Sequence, residues 1–175
     1  MAPVADDEPP GDHETGADPA VHVHVHFVMT GAFPLRLVDL CFTDDAVVAP
    51  EYALLTPLFG LARGQAPDEA AHAVERYRDG GLAALEALAN RVQREPYSDV
   101  EAVVLFDGGP VARPKLSIRL TEGPPLAYRL HAPVDLDELT AALRSLGKRR
   151  DFTVERRSGI GIRPLTNVRR FLADR

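Results

Sequence analysis

The chain is 175 residues long, 45% hydrophobic and 26% charged, with a net charge of −6, so one globular domain burying its own core is the expectation. Its single cysteine, Cys41, excludes an internal disulfide, and no run approaches the roughly 18 apolar residues that a membrane-spanning helix needs. Charge is unevenly spread: residues 1–20 hold six acids and no base, whereas residues 144–175 hold ten bases and three acids.

Residues 1–20 contain four prolines and almost no bulky apolar side chain. Such a segment buries too little surface to offset the entropy of ordering, so a disordered acidic tail is expected, and it lacks the apolar core of a secretory signal. From Val21 the pattern has period two: Val21, Val23, Val25 and Phe27 alternate with His22, His24 and His26, the signature of a strand with one apolar face. Turn residues Thr30 to Pro34 precede a second run, Leu35 to Phe42, and Thr43-Asp44-Asp45 leads tightly into Ala46 to Ala49, which reads as two hairpins in series. Cys41, inside the run Leu40-Cys41-Phe42, is expected to be a small buried hydrophobe, consistent with the cytoplasm.

The apolar stretch 53–62 is short and interrupted by Pro57 and Gly60, so a buried loop or short helix is expected there. Beyond it, Pro67-Asp68-Glu69 has first-turn character, and Val74, Tyr77, Gly81, Leu85, Leu88 and Val92 recur at spacings of three and four. A helix or helix pair over about 67–94 follows, bent at Gly80-Gly81.

The stretch from Tyr97 to Gly147 is the most legible. Val100, Ala102, Val104 and Phe106 share one side of a strand; Leu116, Ile118 and Leu120 form a second apolar face, opposite Ser117 and Arg119; Leu126, Tyr128 and Leu130 form a third, opposite Arg129 and His131. Turn chemistry at Asp107-Gly108-Gly109-Pro110 and Glu122-Gly123-Pro124-Pro125 makes these an antiparallel meander. Asp135 is placed to cap a helix with Glu138 in the capping-box position, Leu136, Leu139, Leu143 and Leu146 on one stripe, and Gly147 at its end.

These residues resemble a family. The succession PYSDVEAVVLF, KLSIRL, LAYRL and DLDELTAALRSLG, with Pro96, Tyr97, Ser98, Asp99, Val100 and Glu101 opening the strand and Asp135 to Leu146 closing the unit, is similar to the second half of bacterial and archaeal pleckstrin-homology-like (GRAM-related) domains. Phe42-Thr43-Asp44 followed by Ala46-Val47-Val48 resembles that family's early hairpin. The resemblance implies an α+β fold over residues 21–147: an antiparallel, strongly bent sheet or split barrel capped by a C-terminal-side helix, with the helical stretch near 67–94 inserted between its halves and residues 148–175 as a basic, partly folded extension. It also implies a binding module for peptides, proteins or lipid headgroups. The lipid-binding members carry basic residues in and beside the first hairpin loop, where this chain has only Arg36.

Two groups of residues carry candidate chemistry. Strand alternation puts His22, His24 and His26 on one face at steps of about 6.5 to 7 Å. Imidazoles so placed suit zinc or nickel if His13, His72, His131, Asp39 or Glu51 folds in to complete the ligand set; otherwise they are the polar side of a half-buried strand, or a pH-sensitive element. The basic residues Lys148, Arg149, Arg150, Arg156, Arg157, Arg169 and Arg170 are suited to phosphate oxygens, or to docking on the acidic remainder of the chain. Phe152, Val154, Ile160, Ile162, Leu165, Val168, Phe171 and Leu172 among them argue for a partly folded extension. Asp44-Asp45 and Asp135, Asp137, Glu138 sit where turns and helix starts want acceptors. No nucleophile triad, complete ligand set or phosphate loop stands out. The expectation is therefore a non-enzymatic binding or scaffolding module without a cofactor, with a protein partner. The alternatives are metal binding through the histidine strand, and nucleic-acid or anionic membrane-surface contact through the basic extension.

Overall fold

The computed structural model describes residues 19–32, 34–55, 62–110 and 112–159, the side chains of 62–64 excepted. In chain order these form β1 (Val23–Thr30), β2 (Leu35–Phe42), β3 (Ala46–Leu55), α1 (Ala62–Leu88), β4 (Arg91–Pro96), a 3₁₀ turn (Tyr97–Asp99), β5 (Val100–Phe106), β6 (Lys115–Leu120), β7 (Leu126–Leu130), α2 (Leu136–Arg150) and β8 (Thr153–Arg157). The strands make one sheet in the order β4-β3-β2-β1-β7-β6-β5-β8. Two antiparallel meanders, β1 to β4 and β5 to β7, meet at a short seam where Val28, Met29 and Thr30 pair with Leu130, Arg129 and Tyr128.

The strongly bent sheet or split barrel expected from the family resemblance is not what forms. The sheet is open and mixed, ending at β4 on one side and β8 on the other, with β8 parallel to β5. The physical reason lies in where the apolar faces point. Strands β2 and β3 are buried almost throughout, which requires cover on both faces. One cover is α2: Leu139, Leu143, Leu146 and the following Phe152 pack with Val25, Val38, Leu40, Phe42, Val103, Leu105, Leu116, Ile118 and Leu130. The other is α1, whose Ala66, Ala70, Ala73, Leu82 and Leu85 pack on Leu37, Cys41, Val48, Tyr52 and Leu55 from the opposite side. A sheet with a helix on each face has no apolar side left to roll around. Each large side chain fully enclosed this way, Phe42 and Leu85 among them, contributes about 1.5–3 kcal/mol.

The second meander and its helix follow the pattern of the sequence. Asp135 accepts from the backbone N–H groups of Asp137 (2.8 Å) and Glu138 (3.1 Å), and its carboxyl is held below the usual carboxylate range by those two bonds. The helix nevertheless runs past Gly147 to Arg150, and Asp151 takes the left-handed cap position with φ 63°. Gly147 serves a close approach instead: a Cβ there would sit 2.5 Å from the Phe152 carbonyl oxygen and 3.2 Å from its ring. The fold also continues into the expected extension, since β8 pairs with β5 from Ala102↔Thr153 to Phe106↔Arg157.

Helix α1 begins before Pro67, and it is interrupted at Gly80 and Gly81. Gly81, at φ 62° and ψ −152°, occupies backbone space that is essentially glycine's alone, so the glycine pair breaks the helix into two segments. Its expected C-terminal portion is strand β4, which pairs with β3 from Ala46↔Pro96 to Glu51↔Arg91. Ala53 to Leu55 belong to β3, and the rest of the apolar stretch, 56–61, lies outside the described residues, as do residues 1–18 of the acidic tail.

Candidate functional site

The histidine strand does not keep its alternation. His26 and Phe27 together face the single residue Asp39, because the β1–β2 register jumps from Val25↔Leu40 to Val28↔Val38. This is a β-bulge, and Phe27 takes a positive φ of 52° to make it. The cause is on β2: Asp39 is fully buried, and its carboxylate accepts from the Phe27 N–H (2.9 Å), the Tyr52 hydroxyl (3.0 Å) and His24 Nε2 (2.8 Å). A buried carboxyl group is costly unless such donors satisfy its oxygens. Burial pushes the Tyr52 phenol far above its ordinary value and Asp39 adds to the effect, so Tyr52 stays a donor.

The three histidines therefore separate. His22 Nε2 lies 2.7 Å from Asp44 Oδ1, at the β2–β3 turn. His24 is held by Asp39 and lies against Tyr77 of α1, ring centroids 4.2 Å apart. His26 Nδ1 stands 3.8 Å from Asp39 Oδ1, too far to hydrogen-bond. Burial holds His26 below its ordinary pKa, with His24 and Arg78 adding to the depression and Asp39 opposing it. Of the helpers considered for a metal, Asp39 folds in, but three internal donors occupy it. Among the described residues no group of three or more His, Cys, Asp and Glu is arranged to hold a metal ion. Cys41 stands opposite His24 in the ladder and is fully buried, which shuts its thiol off from any substrate.

The basic residues expected to act together are likewise dispersed. Lys148, Arg149 and Arg150 form the last turn of α2, where cations oppose the helix dipole. Arg150 reaches Asp44 at 2.9 Å, Arg156 pairs with Asp137, and Arg157 with Glu155 at 2.5 Å. Arg169 and Arg170 lie outside the described residues. Asp44, expected as a turn acid, thus ties both His22 and Arg150, and the His22 bond is the main reason its carboxyl sits below the ordinary value.

A different basic set does come together. Helix α1 packs mainly on β1, β2 and β3; on the same face of β5 and β6, Ala102, Val104 and Ser117 are buried among longer polar side chains. Alternation sends Leu116, Ile118, Tyr128 and Leu130 to the α2 side, which leaves Lys115, Ser117, Arg119, Ala127 and Arg129 on the other. Glu155 and Arg157 join them from β8: Glu155 accepts from Arg119 (2.9 Å) and from Arg157 Nε (2.9 Å). Lys115 stands directly across from Arg129 and over the Phe106 ring at 5.4 Å, and burial, then Arg129, lowers its pKa. Four bases thus share this face with one acid. The signal was present in the sequence, since the non-core positions of KLSIRL and LAYRL are mostly basic, but only the sheet order shows that they adjoin β8 and that the helix stops short of them.

No protein-family model matches the chain, and no curated protein does. Among solved structures it is similar to the hSac2 domain from human phosphoinositide phosphatase Sac2, with 9% identity and a TM-score of 0.48 over 83% of this chain and 82% of that one. Among the described residues no helix is long and apolar enough to cross a membrane.

Proposed function

We propose that this chain is a non-enzymatic binding module that engages an anionic ligand through the half of its sheet that α1 leaves uncovered. One observation carries the reading: Lys115, Arg119, Arg129 and Arg157 share that face, where among the described residues Glu155 bridges Arg119 and Arg157. Like charges across neighbouring strands destabilise a sheet, and potentials of one sign steer oppositely charged ligands. Arg119 and Arg157 keep 37% and 49% of their side chains exposed, so their forks remain reachable.

The test is affinity purification of the tagged full-length chain from its own host, alongside a variant with Arg119→Glu and Arg157→Glu and a control with Lys148→Glu and Arg149→Glu. The reading requires ligands that survive in the control and disappear from the sheet-face variant. An identical set recovered with all three proteins sinks it.

A further inference from the structure

Where the two meanders meet, the register builds a grid of basic groups on the uncovered face. Lys115 pairs with Arg129, and one step along the strands the β6–β7 ladder extends through the Leu130 N–H to the Pro114 carbonyl (2.9 Å), which brings Arg113 beside His131. Arg113 donates to the His131 carbonyl at 3.3 Å. Neighbouring corners of this grid are about 5 Å apart across the ladder and about 7 Å apart along a strand. Its rim is apolar: Phe27 lies tilted against His131, ring centroids 5.4 Å apart, Met29 pairs with Arg129, and Phe106 pairs with Lys115.

Among the described residues the arginines are held by uncharged acceptors. Arg129 donates to the Gly31 carbonyl (2.8 Å) and Arg113 to that of His131, both backbone acceptors that carry no net charge. Each guanidinium has five N–H donors, so most of each fork remains for a ligand. His131 feels the result: burial first, then Arg113 and Arg129, lower its pKa to about 4. It is neutral at pH 7 and adds a hydrogen-bonding ring to the grid without a further charge. Arg113, Lys115 and Arg129 thus occupy neighbouring register positions on one face, and guanidinium forks so placed match a dianion with several acceptor oxygens.

We propose that Arg113, Lys115 and Arg129, with the ring of His131, form a binding site for a phosphate group. This rests on the anionic-ligand reading above and names its chemistry. The phosphate is either free or borne on a small molecule or lipid headgroup, and its oxygens take the unspent guanidinium N–H groups of Arg113 and Arg129.

The experiment follows the His131 ring resonances of the full-length protein by NMR during titration with sodium phosphate, with sodium chloride at matched ionic strength as reference. Saturable shifts with phosphate, and a His131 pKa that rises as the anion offsets the two arginines, support the site. Arg113→Gln and Arg129→Gln should each weaken the phosphate response by about ten- to a hundredfold, the loss of one charge-assisted hydrogen bond, while Arg144→Gln on α2 leaves it unchanged. Glycerol phosphate and phosphatidylcholine vesicles containing phosphatidic acid replace free phosphate in parallel arms. A response in either arm that Arg129→Gln removes supports the site and names the carrier. Shifts no larger than with chloride in every arm, or equal in all variants, overturn it. If capture of ligands still depends on Arg119 and Arg157 while phosphate does nothing, the phosphate site fails and the anionic binding surface stands.

Discussion

The two halves of the sheet handle polar groups on the same face in opposite ways. Under α1 the buried carboxylate of Asp39 gathers three donors from β1 and β3. Beyond the seam, cations stand across from each other and Glu155 bridges Arg119 and Arg157. The covered half shows what burial enforces, which is pairing of every strong acceptor. The uncovered half tolerates like charges because water screens them, and that tolerance is what leaves binding capacity there.

Breaking the covered half should have the largest effect. Asp39→Ala removes the acceptor shared by the Phe27 N–H, the Tyr52 hydroxyl and His24, and leaves three donors without it. A loss of about 3–5 kcal/mol is expected, in the range for dismantling a buried charged network, with the β1 bulge losing its reason to form; urea unfolding measures the first and amide exchange at His26 and Phe27 the second. A loss below about 1 kcal/mol would mean that the bulge, not the carboxylate, organises this cluster. Gly147→Ala tests the other side of the sheet, where the new methyl would press on the Phe152 carbonyl. Overpacking of this kind costs about 1–3 kcal/mol, read from the same unfolding curves.

Acid sharpens the comparison. His26 and His131 both have folded pKa values below 6.5, His131 at about 4. The unfolded chain therefore takes up protons first as pH falls, and stability is full above about pH 6.5 and declines as pH drops toward 4, levelling off below. Urea midpoints measured from pH 7.5 to 4 should fall across that window, and His131→Gln should flatten part of the decline. A midpoint that rises on acidification would contradict both depressed values. The smallest effect belongs to Glu155→Gln on the uncovered face: it frees Arg119 and Arg157 from their shared exposed acid, which scarcely moves the unfolding midpoint but strengthens binding of an anionic ligand at low salt.

Much of the second half was legible in the residues. Alternation in Lys115–Leu120 and Leu126–Leu130 is local and survives folding because one face packs on α2, and Asp135 caps α2 through bonds to residues two and three positions away. In Val100–Phe106 the expected face does not hold: the register shifts after Val100, and Val103 and Leu105, not Ala102 and Val104, join the core under α2. The histidine strand shows the limit. Its period of two predicts three imidazoles on one face, and the buried acid of a neighbouring strand overrides it by drawing the Phe27 N–H inward. Nothing in residues 22–27 themselves encodes that bulge. The basic extension left two readings open for a related reason: charge runs say nothing of which acids will adjoin them, and Arg150, Arg156 and Arg157 pair with Asp44, Asp137 and Glu155.

By itself, the sequence determined the elements whose stabilising contacts are close in the chain: the β5–β7 meander, the capped helix α2, the break at Gly80-Gly81, and the burial of Cys41. The tertiary structure decided everything that depends on long-range pairing. It chose an open sheet over a barrel because α1 and α2 cover opposite faces, joined the halves through β1 and β7, and added β4 and β8 at its edges. It also set Arg157 of the C-terminal extension on one face with Lys115, Arg119 and Arg129, because cross-strand register, which no local pattern records, fixes which side chains become neighbours.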